Sequence, residues 1–129
     1  MGKRYLIDSN TVIDYLDGKL PTKGNKFMNT IVDDSVLISV ITKIEVLGFN
    51  IKPTSHEILI EFIEDATVLA LDDDVVKQTI NLRRTKKIKI PDAIIAATAL
   101  THNLELVTRD ISDFKNIEGL NVIDPHNMQ

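Results

Sequence analysis

The sequence predicts an α/β fold, a three-layer α/β/α domain with a central parallel sheet of about five short strands. Short apolar runs rich in β-branched residues alternate along the chain with stretches that have helical spacing. Strands that alternate with helices form parallel sheets, and their right-handed crossovers place helices on both faces. The chain has 129 residues, without an internal repeat or a long linker, so we expect a single domain over residues 1–129.

Each predicted element follows from its local pattern. The apolar runs predict strands at 5–7, 36–40, 67–71, 104–108 and 121–123. Helical spacing predicts a helix after the first strand that stops near Gly18, then helices at about 23–34, 42–49, 55–64, 73–84 and 91–102, and a helical turn at 111–115. In the fourth of these helices, the expected core positions are Ile58, Leu59, Phe62 and Ile63. No element is predicted beyond Pro125.

Composition excludes some classes of function. The chain has no cysteine, which excludes disulfides and thiolate metal sites. No apolar run approaches the length of a membrane span and no signal-peptide pattern is visible, so we expect a cytoplasmic protein without a membrane partner. The net charge of −4 argues against binding nucleic acid by bulk positive charge, but an enzyme with an acidic metal site can still act on nucleic acid.

Asp8 is the first candidate functional residue. It follows the apolar run at 5–7 and precedes a helix, so it should lie at the carboxyl end of a strand. In open α/β sheets, ligands bind at that edge. The alternative is that Asp8 only caps the helix.

Further carboxylates occupy similar places. Glu45 lies in the helix after the second strand, Asp92 begins a long apolar helix, and Asp110 and Asp113 follow the fourth strand. A parallel sheet would bring Asp8, Glu45, Asp110 and Asp113 to one edge, and Asp92 joins them if its helix packs with its N-terminus at that same edge. Such a cluster of hard oxygen ligands suits Mg²⁺ or Mn²⁺. Because a bound divalent cation can activate water and stabilise charge on a phosphoryl group, the pattern favours phosphodiester hydrolysis.

Each of these acids also has a purely structural interpretation. Thr42 and Glu45 fit a capping box, in which Glu45 would bind the Thr42 backbone. Asp92 and Asp110 could serve only to start their helices. The acidic run Asp72, Asp73 and Asp74 is explained by a helix start, and His56, His102 and His126 show no metal-ligand spacing and are expected at the surface or at helix ends.

Four stretches resemble the signature blocks of PIN-domain ribonucleases, in particular the small VapC-type toxins of toxin–antitoxin pairs. They are LIDSN at 6–10, SVITKIEVL at 39–47, PDAIIAATA at 91–99 and LVTRDISDF at 106–114. The resemblance implies that Asp8, Glu45, Asp92 and either Asp110 or Asp113 coordinate Mg²⁺ or Mn²⁺, and that Asn10 and Thr42 support the site. Many relatives carry Asn at the position of Asp110, so both acids stay candidates, with Asp110 favoured because it lies closer to the strand end. The family likeness also implies a homodimer and a cognate antitoxin protein.

An RNA substrate would bring phosphates to an acidic site and needs cations nearby. The candidate RNA contacts are Arg83, Arg84, Lys86, Lys87 and Arg109. The alternative is that the basic run is a solvated helix end. The helical pair at 42–64 is the expected antitoxin surface.

The sequence therefore predicts a metal-dependent endoribonuclease, the toxin of a toxin–antitoxin pair. Two alternatives are a PIN nuclease that processes RNA or acts on DNA, and a non-catalytic α/β binding module whose acids only cap helices. A receiver domain fits poorly, because the second strand ends in Ser39 and Val40 rather than in an acid.

Overall fold

The computed structural model of the chain describes residues 2–49 and 53–128, and confirms the predicted parallel sheet. The strands are β1 (Tyr5–Ile7), β2 (Leu37–Ser39), β3 (Thr67–Leu69), β4 (Glu105–Val107) and β5 (Val122–Ile123). Their order is β3-β2-β1-β4-β5, and every pair is parallel. In the central strand, Leu6 lies opposite Leu37 of β2 and Leu106 of β4. The carboxyl ends of all the strands therefore meet at one edge.

Helices connect the strands. They are α1 (Ser9–Leu16), α2 (Thr22–Asp34), α3 (Val40–Leu47), α4 (Pro53–Asp65), α5 (Asp73–Thr85), α6 (Ile90–Thr101) and α7 (Ile111–Phe114). Gly18, at φ 71°, lies just past α1, which confirms the predicted helix stop. None of the helices in the described ranges is long and apolar enough to cross a membrane.

The sheet separates two apolar cores, because successive side chains of a strand point to opposite faces. Leu6 packs with residues of α5, α6 and α7. Its neighbour Ile7 packs on the other face with residues of α1, α2 and α4. Helix α6 is buried over seven consecutive residues, 93–99, so it is held firmly against the sheet and fixes the position of its first turn.

Two predictions about local structure are wrong. Ser39 caps α3, with its Oγ accepting a hydrogen bond from the Ile41 N–H at 3.0 Å. Thr42 therefore lies inside the helix and does not begin a capping box. The Ile58 side chain is 53% exposed rather than in the core, because Leu59 and Ile63 supply the inward face of α4.

The segment after β5 also differs from the prediction, because a 3₁₀ turn forms over Pro125–Asn127. Asp124 caps this turn by accepting a hydrogen bond from the His126 N–H at 2.8 Å. The His126 side chain also contacts Asp14 of α1, with its Nε2 2.9 Å from Asp14 Oδ2.

Candidate active site

The predicted acidic residues meet at the carboxyl edge of the sheet. Asp8 directly follows β1, Glu45 lies on α3 after β2, Asp92 is in the first turn of α6, and Asp110 and Asp113 lie at the start of α7 after β4. Burial is the largest cause of the raised pKa of both Asp8 and Asp92, and neighbouring negative charges add to it: those of Glu45 and Asp92 for Asp8, and those of Asp113, Glu45 and Asp110 for Asp92. Glu45, Asp110 and Asp113 are therefore each close enough to Asp8 or Asp92 to repel it, and we call the five carboxylates the acidic cluster.

Asp8 is the buried member of the acidic cluster, with 5% of its surface exposed. Its Oδ1 accepts a hydrogen bond from the Ser9 N–H at 2.8 Å, which caps α1, and its Oδ2 accepts one from the Thr108 hydroxyl at 2.7 Å. Burial raises the pKa of Asp8 to about 6, the neighbouring charges add to that effect, and the two hydrogen bonds oppose it. Asp8 therefore caps α1 with one oxygen and connects β1 to the end of β4 with the other.

Asn10 joins the ends of β1 and β4. Its Nδ2 donates to Asp110 Oδ2 at 2.9 Å and lies 3.4 Å from Asp8 Oδ2, while its Oδ1 accepts from the Arg109 N–H at 3.1 Å. The Thr108 hydroxyl, which donates to Asp8, also accepts from the Asp110 N–H at 3.1 Å. Asn10 and Thr108 together therefore orient Asp8 and Asp110.

Glu45 projects from the exposed side of α3. Its Oε1 accepts a hydrogen bond from the Ser9 hydroxyl at 2.6 Å. Thr42, one turn earlier, is fully buried, and within the described part of the chain its Oγ1 has no hydrogen-bond partner. Buried hydroxyls without a partner are uncommon, so Thr42 presents an unused polar atom.

Asp92 links the two sides of the acidic cluster. Partial burial is the first cause of its raised pKa, followed by the charges of Asp113, Glu45 and Asp110, while Lys89 acts in the opposite direction. Asp110 hydrogen-bonds with Asn10, whereas Asp113 is exposed on α7. The two acids therefore occupy different surroundings although both act on Asp92.

The donor atoms of the acidic cluster fit a hard divalent cation, because they are carboxylate oxygens with a threonine hydroxyl nearby. Burial and then mutual repulsion raise the pKa values of Asp8 and Asp92. A bound cation would relieve the repulsion between their negative charges. Among residues 2–49 and 53–128, however, no three acidic or histidine side chains already stand in an arrangement that could hold a metal ion. The residue types therefore fit a metal ion, while their present side-chain conformations do not form a closed cage.

The candidate RNA contacts fall into two groups. Lys86 and Lys87 border a cleft of about 300 Å³. The other lining residues of this cleft are Ile88, Ser112, Asp113, Lys115, Asn116 and Ile117. The Arg83 guanidinium donates to the Ile88 carbonyl and Arg84 is exposed. Arg109 does not line this cleft and forms an ion pair with Asp14, with its Nη1 3.0 Å from Asp14 Oδ2.

Sequence reasoning did not identify Ser9 and Thr108 as site residues. Ser9 directly follows Asp8, and Thr108 directly follows β4. Their positions at the carboxyl ends of two strands are the feature of the sequence that could have identified them. Asp14 lies more than a turn into α1, and its place in the sequence does not mark it as a site residue. The structure places it beside Arg109 and His126, a contact between distant parts of the chain that no local pattern indicates.

Comparison with known proteins agrees with this architecture. The family profile of the PIN domain matches residues 5–120. The chain is 33% identical to Ribonuclease VapC1 of Rickettsia felis, over 92% of this chain and 93% of that protein. A chain of a toxin–antitoxin complex from Klebsiella pneumoniae superposes with a TM-score of 0.76 at 30% identity, covering 96% of this chain and 99% of the other.

A second solved structure has the same fold. A chain of the DNA-bound VapBC complex from Salmonella typhimurium gives a TM-score of 0.77 at 25% identity, covering 95% of this chain and 98% of the other. The profile match spans most of the sequence, and the relative from Rickettsia felis aligns over nearly the full length of both proteins. The chain therefore belongs to the PIN-domain family and is a relative of the VapC ribonucleases.

Proposed function

We propose that this protein is a divalent-metal-dependent endoribonuclease that hydrolyses RNA phosphodiester bonds as the toxin of a toxin–antitoxin pair. The observation that supports this most directly is the meeting of five carboxylates at the carboxyl edge of the sheet, where burial and mutual repulsion raise the pKa of Asp8 and Asp92. Membership of the PIN-domain family supports nuclease chemistry, and similarity to a protein named Ribonuclease VapC1 supports RNA as the substrate.

Asp8, Glu45, Asp92 and Asp110 are the proposed ligands of Mg²⁺ or Mn²⁺. A bound cation would lower the pKa of a water molecule and stabilise charge on the phosphoryl group. Asp110 is preferred over Asp113 because Asn10 and Thr108 orient it in the same network as Asp8. The Asp113 carboxylate is proposed to contribute negative charge at the border between the acidic cluster and the basic cleft.

The chain's own hydrogen bonds prepare the acidic cluster. Thr108 and the Ser9 N–H favour the ionised form of Asp8 by donating to it, which opposes the effect of burial. A proton must leave Asp8 before its oxygens can bind a cation. Thr42 contributes a buried hydroxyl whose hydrogen-bonding capacity is unused among the described residues, and we propose that it serves a group bound between Glu45 and Asp92.

The RNA backbone is proposed to run across the cleft beside Asp113. Lys86, Lys87 and Lys115 border this cleft. No carboxylate in the described ranges forms an ion pair with any of the three. Lysines without an acidic partner bind phosphates through sequence-independent, salt-sensitive contacts. Replacing Lys86 and Lys87 by Gln should raise the KM for RNA and weaken its salt dependence, and an unchanged KM would argue against this surface.

The antitoxin is proposed to bind beside α1, α3 and α4. An apolar groove of about 270 Å³ is lined by Ile13, Leu16, Asp17, Phe49, Ser55, Ile58 and Leu59. Its side chains include Phe49, 45% exposed, and Ile58, 53% exposed, and exposed apolar patches commonly mark protein interfaces. Ile58→Glu should abolish co-purification with the small protein encoded by the adjacent reading frame while leaving RNA cleavage intact. Co-purification that survives the substitution would refute the assignment.

Helix α5 is the proposed homodimer surface. Val76 and Ile80 are four residues apart on its outer face and are 38% and 51% exposed. Ile80→Glu should convert a dimer to a monomer in size-exclusion chromatography with light scattering. A dimer that persists in this variant would assign the interface to another surface.

The central test is cleavage of single-stranded RNA in the presence of Mg²⁺ or Mn²⁺, with single-stranded DNA offered in the same assay. We expect the wild type and the control variant Glu118→Gln, which changes an exposed acid outside the acidic cluster, to cleave RNA. Asp8→Asn and Asp92→Asn should lose the activity. Cleavage at full rate by both variants, or in the presence of EDTA, would refute the proposal, and cleavage of DNA alone would change the substrate.

A further inference from the structure

Arg109 lies between two carboxylates that compete for it. The Arg109 Nη1 atom is 3.0 Å from Asp14 Oδ2, and the Arg109 Nε atom is 4.0 Å from Asp110 Oδ1. The side chain is 53% exposed, so packing alone does not fix the guanidinium. Because Asp110 belongs to the acidic cluster and Asp14 does not, the choice between these two partners determines whether the guanidinium hydrogen-bonds directly to a proposed metal ligand.

Asp14 has a second side-chain contact besides Arg109. Only 14% of its side chain is exposed, and the oxygen that binds Arg109 also lies 2.9 Å from Nε2 of His126. The other ring nitrogen of His126 lies 3.0 Å from Oδ1 of Asp124. The imidazole thus lies between the carboxylates of Asp14 and Asp124. It gives Asp14 a contact that does not depend on the position of the Arg109 guanidinium.

The turn that carries His126 is itself anchored. The Pro125 carbonyl oxygen lies so close to Gly24 of α2 that a Cβ at this position would be 1.9 Å from it. The Ile123 carbonyl accepts a hydrogen bond from the Thr108 N–H at 2.9 Å, which ties the turn to the end of β4. The position of Asp14 is therefore set by α2 and β5 as well as by its own helix.

If Asp14 lost its charge, Asp110 would be the remaining one of the two acids that form ion pairs with Arg109. The Nε is already within 4.0 Å of Asp110, so rotation about the last bonds of the side chain suffices. A guanidinium bound to a carboxylate occupies the oxygens that a cation needs and opposes the cation by its charge.

We propose that Asp14 is a positioning residue that keeps Arg109 away from Asp110 and so leaves the acidic cluster free for a divalent cation. His126 holds Asp14 in the position from which it does this. The inference rests on the proposed metal site, and it adds a regulatory contact outside that site.

The first test is titration with Mn²⁺, followed by calorimetry and by RNA cleavage. Asp14→Asn should need about fivefold more Mn²⁺ for half-saturation, which is the size expected for a partly exposed ion pair, while its cleavage rate at saturating Mn²⁺ approaches that of the wild type. The double variant Asp14→Asn/Arg109→Gln should bind Mn²⁺ as tightly as the wild type. A double variant as weak as Asp14→Asn alone would refute the proposal, because a merely structural role of Asp14 is not rescued by removing Arg109.

The control is Glu118→Gln, which changes an exposed acid outside the acidic cluster and outside the proposed antitoxin groove. It should leave the Mn²⁺ requirement unchanged, and a shift equal to that of Asp14→Asn would refute a specific role for Asp14.

A crystal structure of the metal-free Asp14→Asn variant separates this inference from the proposed function. We expect the Arg109 guanidinium on the Asp110 carboxylate, and a guanidinium that stays beside residue 14 would overturn the inference. If the wild type bound no Mn²⁺, the metal site would be refuted while this structure still decided where Arg109 goes.

Discussion

Asp8→Asn should stabilise the metal-free protein, and should do so more strongly as the pH rises. The pKa of Asp8 is raised from 3.8 to about 6, so between these values the folded protein binds the proton more tightly than the unfolded chain. Stability contributed by the protonated group is therefore lost as the pH rises through this window. Ionising the buried Asp8 costs about 3 kcal/mol at pH 8 and about 1 kcal/mol at pH 4.5. Asparagine avoids this cost, and any weakening of the bonds to Ser9 and Thr108 is the same at every pH.

The assay is urea unfolding in EDTA at pH 4.5 and 8.0. The stability of Asp8→Asn relative to the wild type should increase by about 2 kcal/mol between these pH values, while Glu118→Gln should show no comparable change. An increase of less than about 0.5 kcal/mol, or a change of the opposite sign, would refute the explanation of the raised pKa by burial and repulsion. Addition of Mn²⁺ should then stabilise the wild type and not Asp8→Asn, because only the wild type retains the full set of proposed ligands.

Three further outcomes are expected. Thr108→Val removes the hydroxyl that donates to Asp8 at 2.7 Å, so the cleavage rate should fall about 10- to 100-fold. Because that hydrogen bond lowers the pKa of Asp8, its loss should also move the acidic limb of the pH–rate profile to higher pH. Thr108→Ser, which keeps the hydroxyl, should restore both the rate and the profile. Gly24→Ala should lower the free energy of unfolding by about 1–3 kcal/mol, because its Cβ would meet the Pro125 carbonyl, and a change below about 0.5 kcal/mol in urea unfolding would contradict that close approach. Asp92→Asn should reduce the Mn²⁺-induced rise in melting temperature by more than half, and an unchanged rise would exclude Asp92 as a ligand.

The fold was predictable because its signals are local. Each strand is a run of apolar residues, and the polar residues that follow mark the start of a helix. The parallel arrangement then brings Asp8 and Glu45 to one edge without any knowledge of side-chain conformation, whereas the place of Asp92 depends on how α6 packs against the sheet. The predicted strands at 36–40 and 67–71 are longer than the observed Leu37–Ser39 and Thr67–Leu69, since apolar character alone does not show where pairing ends. Which of these acids bind a metal stays a prediction.

The parts that were missed depend on contacts between distant residues. The bond from Ser9 to Glu45 spans 36 positions, and the contact of His126 with Asp14 spans 112. A short polar segment after β5 carries no periodic pattern, so its 3₁₀ turn could not be predicted from spacing. The capping box at Thr42 was a reasonable pattern in the sequence, but Ser39 lies where the strand ends and takes the cap instead. Local rules are thus informative about elements and much less so about which side chains meet.

The sheet order has a consequence for synthesis of the protein on the ribosome. The central strand β1 is made first, yet one of its two neighbours, β4, is made nearly last. Asp8 and its hydrogen-bond donor Thr108 are 100 residues apart, and Asp92 and Asp110 also come from the last part of the chain. An incomplete chain that lacks β4 has neither the full acidic cluster nor the Thr108 hydroxyl that donates to Asp8. If the protein is the RNA-cleaving toxin proposed above, its own messenger RNA is translated through the codons of β4 before the growing chain can cleave it.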